Sequence, residues 1–244
     1  MSYPLPIQFK RPAQLAVWTL RPLWFLLALV GSLLGAFQSE QRPPIPLGLM
    51  AVVPVLLFAV VYLSSAAFRN FVLRANPRIL SAAQSGRVLG AVFVILYYKG
   101  LLPAAFALPA GYGDIAIGVT APLIAWAMSS HTTPRRQIFI LWNWLGILDL
   151  IAAVSLGIFN SNSPLGILAS GATTQLMGSF PLSLIPTFLV PLFLIFHLIT
   201  LARLRDDQRK QLGADQPPTV GKARAARMAT IVVSETQAYQ ASRK

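Results

Sequence analysis

Residues 46–68 read PLGLMAVVPVLLFAVVYLSSAAF, a run without a single charged side chain. The hydrocarbon core of a bilayer is about 30 Å thick, and roughly 20 helical residues cross it with every backbone amide bonded inside the segment. The run meets both conditions and reads as a membrane-spanning helix. Five other stretches fit the same template: Pro22–Gln38, Gly86–Pro103, Gly111–Met128, Ile138–Phe159 and Phe180–Leu204. The last belongs to an interval, Leu150–Ala202, that holds no Asp, Glu, Lys or Arg. The expected fold class is all-α: a polytopic integral membrane protein of six transmembrane helices.

The composition agrees. Of 244 residues, 55% are hydrophobic and only 11% charged, with a mean hydropathy of +0.63, outside the range of soluble globular domains. A net charge of +13 would suggest nucleic acid in a soluble protein. Here the cations flank apolar spans, so anionic lipid headgroups are the expected partner and nucleic acid is not. All 20 Lys and Arg residues except Arg42 and Lys99 fall on one side of the six-helix path. Cations are retained in the cytoplasm, so both termini are expected there, N-in and C-in. This divides the chain into a cytoplasmic segment (1–21), a six-helix domain (22–204) and a flexible basic tail (205–244). Lys10, Arg11 and Arg21 ahead of Leu23–Val30 resemble a cleavable signal, but the uncharged run continues to Phe37 and favours a retained anchor. Pro217-Pro218 stops any helix entering the tail, and Lys222–Val233 would suit a short helix on anionic lipid. Compactness and short loops point to a bacterial-type inner membrane. The chain has no cysteine, which excludes disulfides, thiolate metal sites and thiol catalysis.

Gly111, Gly113, Ala116, Gly118, Ala121 and Ala125 give the fourth span a small-residue surface that admits a neighbouring backbone closely, so it is expected at the centre of the bundle. Pro54, Pro122, Pro186 and Pro191 each remove an amide donor inside a span. Each makes a kink or frees a carbonyl for a polar ligand. The loop Asn160–Ser179, rich in Ser, Gly, Asn and Thr, carries an apolar island at Leu165–Leu168. A lid over an outward-facing cavity, a re-entrant dip and an ordinary loop all fit it. A second copy or another membrane subunit as partner stays open.

Charges at bilayer depth cost about 3 kcal/mol each on insertion scales, so those that persist pair or line a watery pocket. Taking Arg87 as an inner boundary, Lys99 lies roughly 18 Å up the third span, and Asp149 lies at nearly the same height above Arg136. Asp114, about 25 Å from His131, falls near the outer face. Lys99 is therefore expected to pair with Asp149 or Asp114, leaving one carboxylate surplus to take a proton or cation. Snorkelling of Lys99 beside Tyr97 and Tyr98, and N-capping by Asp114, are the plain structural alternatives. His197 and Asn143 share a height in the inner half and are placed to hydrogen-bond. His131 belongs to a cytoplasmic loop. With no second intramembrane His, neither heme nor metal is expected, and no cofactor.

Gly111-Tyr112-Gly113-Asp114 resembles the GxGD element of intramembrane aspartyl proteases, whose chemistry uses two carboxylates sharing a water and a proton. The resemblance implies Asp114 and Asp149 as a catalytic pair. It covers four residues, the second Asp follows the motif instead of preceding it, and the Pro-Ala-Leu element of the presenilin type is missing. The leading expectation is a small permease or a small-solute- or proton-binding membrane protein with a site drawn from Lys99, Asp114, Asn143, Asp149 and His197. The alternatives are an aspartyl-type intramembrane enzyme and a non-catalytic accessory or scaffold subunit.

Overall fold

The computed structural model describes residues 11–39, 41–128 and 133–214. His131, Pro217-Pro218 and the Lys222–Val233 segment lie outside them. The described elements are helical, with no strand among them: α1 Arg11–Leu33, α2 Ile45–Ser64, α3 Ala66–Val72, α4 Pro77–Ala83, α5 Ala91–Tyr98, α6 Ala104–Ala127, α7 Thr133–Phe159 and α8 Val190–Ala214. Tight 3₁₀ turns occupy Gln84–Gly90 and Thr174–Gly178, and a wide π turn occupies Ile185–Leu189. Five helices are long and apolar enough to cross a bilayer: Ile45–Ser64, Pro77–Tyr98, Ala104–Ala127, Arg136–Phe159 and Ile185–Leu212. The chain is a multi-pass integral membrane protein.

The third and fourth spans differ from expectation in ways that place the site. The third span starts at Pro77, not Gly86. The Asn76 side chain accepts from the Arg78 amide at 2.9 Å, and Pro77 occupies the first helical position, where its missing N–H costs nothing. The span ends at Tyr98 because Gly100 adopts φ +71°. The Gly100 amide then bonds Tyr97 O at 2.8 Å and the Leu101 amide bonds Leu96 O at 2.9 Å, a left-handed stop that glycine makes without strain. Arg87 thus lies mid-span instead of at the inner edge, and Lys99 caps the helix end. The fourth span begins at Ala104, behind Pro103, and runs through Pro109. Asp114 is an interior helical residue, so the N-cap alternative fails.

The buried face of α6 runs through Ala107, Ala110, Asp114, Ile117 and Ala121, the spacing of one helical stripe. Phe93, Leu102, Phe106, Ala107, Ala110 and Met177 pack on one side of Asp114, and Ile117, Ala121 and Trp142 on the other. A polar layer is thereby sealed between two apolar ones. α2 is the opposite case: only Ala51 is buried, while Leu49, Val52, Val53, Leu56, Leu57 and Val60 face outward. Such a surface suits lipid and not water. α1 meets the segment around the π turn through Trp24 and Phe25, whose rings lie 4.9 and 5.0 Å from Phe188, and through a Ser32–Ser183 hydroxyl hydrogen bond.

The described residues divide between two units, 11–204 and 205–214. Residues 205–214 are helical, with Lys210 paired to Asp206 one turn earlier at 2.6 Å.

Candidate functional site

Arg87 is the centre of the polar layer, with its side chain fully buried. A guanidinium carries five N–H donors in a planar fork that usually grips one carboxylate with two of them. Here the fork is divided. Nε donates to Asp114 Oδ1 at 2.7 Å on α6, and Nη2 donates to Asp149 Oδ2 on α7. Nη1 points the other way, donating to Gly146 O at 3.2 Å and to His197 Nε2 at 3.4 Å.

The imidazole tautomer follows from the same network. Asn143 donates its Nδ2 to Phe139 O at 2.8 Å, which leaves Oδ1 as the acceptor facing His197 Nδ1 at 2.9 Å. Nδ1 therefore carries the proton, and Nε2 offers a lone pair to Arg87. A doubly protonated ring would set a donor against a donor. Trp142 lies edge-on to His197 at 5.4 Å and gives its indole N–H to Thr120 Oγ1 at 2.9 Å, closing the layer on that side.

Three glycines make the cluster possible. A Cβ on Gly90 would strike Asp114, one on Gly113 would strike Asp149, and one on Gly146 would strike His197. Each polar side chain therefore rests on a bare stretch of a neighbouring helix.

The structure brings Asp114, Asp149, Asn143 and His197 into one network and leaves Lys99 out of it. Lys99 is exposed at the end of α5, so the pairing expected for it is corrected: Arg87 holds both carboxylates. Windowed reading misplaced Arg87 because a cation normally marks a span's end, whereas a cation with two counter-ions is admitted inside one. Asn76-Pro77 was the signal that would have found it, as a helix start ahead of Arg87. The glycines carried no comparable signal, since small residues in membrane helices serve packing generally.

The geometry also bears on the GxGD resemblance. Asp114 and Asp149 take separate prongs of one guanidinium, an arrangement unlike two carboxyls sharing a water and a proton.

One cavity borders this layer and a second lies apart from it. One of about 20 Å³ is bordered by Arg87, Gly90, Asp114, Ile185, Leu189 and Phe193. A larger, mostly apolar one of about 80 Å³ lies under the 160–178 loop, with Leu47, Phe106, Ile158, Met177 and Pro186 among its walls. The loop is pinned there, since Thr174 donates its hydroxyl to Gly157 O at 2.6 Å and its amide to Asn160 O at 3.0 Å. The island Leu165–Leu168 does not dip inward; Leu165, Ile167 and Leu168 are exposed.

Residues 44–205 match a family described as a domain of unknown function, DUF8737. The chain belongs to this family. The DUF8737 match takes in all five long apolar helices but for the last residues of the fifth, together with Arg87, Asp114, Asn143, Asp149 and His197, while α1 precedes it. No curated protein and no solved structure matches the chain.

Proposed function

We propose that this DUF8737 protein is a small permease-type membrane protein that binds a proton, or a small solute carried with one, at the Arg87–Asp114–Asp149 cluster. One observation carries the proposal: two carboxylates share a single guanidinium in mid-span, with a neutral imidazole as the remaining titratable neighbour. With both carboxylates ionised the layer has one negative charge in excess, which at bilayer depth costs several kcal/mol. A proton removes that excess. Loss of either carboxylate removes the need for it.

The same proposal takes α1 as a sixth span, supported by its Ser32–Ser183 and Phe188 contacts. Both termini are placed on the cytoplasmic side of a bacterial-type inner membrane, with anionic lipid headgroups against the basic flanks. Supporting this sidedness, Arg203 donates to Leu73 O at 2.6 Å and Arg136 to Leu204 O at 3.1 Å, which gathers the basic ends of three helices at one face.

The test is a proton-uptake titration of the purified chain in lipid nanodiscs. Wild type is expected to take up one more proton per chain than Asp149→Asn or Asp114→Asn. Superimposable titration curves would end the proton-binding proposal, and an accessory or scaffold role would then be preferred.

A further inference from the structure

Granted the proton-binding role proposed above, we propose that the small cavity beneath the π turn Ile185–Leu189 holds one water molecule and is the chamber through which the cluster exchanges its proton. The volume of about 20 Å³ suits a single water, which needs roughly 10–15 Å³ and two or more polar partners. Asp114 supplies one partner. Its Oδ1 is taken by Arg87 Nε, while Oδ2 lies over Gly90, where an added Cβ would come within 2.6 Å of it. Gly90 and Asp114 both border the cavity.

The Arg87 guanidinium, which borders the cavity together with Asp114, supplies another. Val190 donates to Ile185 O in the wide register, and Pro191, next in the chain, has no N–H to give. The turn walls the cavity through Ile185, Leu189 and Val190. Gln84 stands behind the Phe193 wall and does not itself border the cavity. It sits three residues before Arg87 in the 3₁₀ turn, hence on the same face, and gives its Nε2 to the carbonyl of Phe193, a wall residue, at 3.0 Å. Its buried Oε1 has no donor among the described residues. Water both donates and accepts, and so fits a cavity bordered by a carboxylate and a guanidinium.

The charged and titratable groups placed against Asp114 are Arg87 and, across the guanidinium, Asp149 and His197. Neither Asp149 nor His197 borders the chamber. Entry therefore occurs at Asp114: a hydronium in the chamber passes its proton to Oδ2 and remains as water, and the reverse step releases it. The far side of the π turn carries Pro186, which walls the larger cavity under the 160–178 loop. The turn is the partition between that cavity and the chamber.

Infrared spectroscopy of the full chain in nanodiscs tests this. Acidification develops the cluster's carboxylic C=O band, identified by its loss in Asp114→Asn, and transfer into D2O times its isotopic shift. Gly86→Ala adds a methyl to the chamber wall, 3.2 Å from Phe193 Cζ and away from the guanidinium. Displacing the one water is expected to slow exchange about tenfold with the band retained. Leu189→Phe fills the opposite wall and serves if Gly86→Ala does not fold. Ala152→Leu, one turn beyond Asp149 on the exposed side of α7, is expected to leave the rate unchanged. An unaltered rate in a folded filler variant, or slowing by Ala152→Leu alone, overturns the chamber and leaves the proton-binding role standing. Absence of the band from wild type at every pH overturns the role itself.

Discussion

Ile45–Ser64 and Pro77–Tyr98 are spans of nearly equal length that solve the membrane problem in opposite ways. The first is uncharged and turns almost its whole surface outward, so each residue is suited to lipid independently of the others. The second buries Gln84 and Arg87 and is tolerable only because α6, α7 and α8 bring acceptors to them. One helix is specified locally and the other by its neighbours. Mutations should therefore register very differently in the two.

The largest effect is expected from Arg87→Met, which strands one buried carboxylate, Asp114, and one half-buried one, Asp149. Breaking a buried pair by removing one partner costs about 3–5 kcal/mol. Unfolding in mixed micelles should show that loss or no folded protein at all, and the triple variant with Asp114→Asn and Asp149→Asn should recover most of it. A single variant as stable as wild type would mean that the cluster is solvated and the contrast false. Gly146→Ala comes next. Its methyl meets His197, and overpacking of this kind costs about 1–3 kcal/mol in the same assay. Asn143→Ala, which leaves the His197 Nδ1 proton without an acceptor, should cost about 1–2 kcal/mol. Leu56→Ala in α2 and Lys99→Gln at the end of α5 should stay within about 0.5 kcal/mol. A clear loss at Leu56 would sharpen the comparison differently, by marking α2 as a surface that a second copy covers.

The same contrast explains what could be read from the sequence. α2 declared itself because hydropathy along a short window is all that specifies it. The apolar runs of α6, α7 and α8 were legible for the same reason, and so were the intramembrane polar residues Asp114, Asn143, Asp149 and His197. Arg87 was not, because its place depends on Asp114 and Asp149, and no local window contains them. Reading Arg87 as an edge shifted the third span outward and moved Lys99 into the membrane on paper. Asp114 was displaced by a similar error, since the span expected to start at Gly111 begins at Ala104. The π turn had a sequence trace in Pro186 and Pro191, but prolines at that spacing announce only a disturbed helix, not which register it adopts.

The divided guanidinium has a consequence for how the polypeptide is made. Asp114 follows Arg87 by 27 residues and Asp149 follows it by 62, so the cation leaves the ribosome before its second counter-ion has been synthesised. At about 5–20 residues per second, the interval to the second carboxylate is roughly 3–12 s. During it, Asp114 is the one carboxylate of the pair that Arg87 can meet. The divided fork can close only once the α6–α7 hairpin is in place, which makes completion of the cluster a late step of assembly.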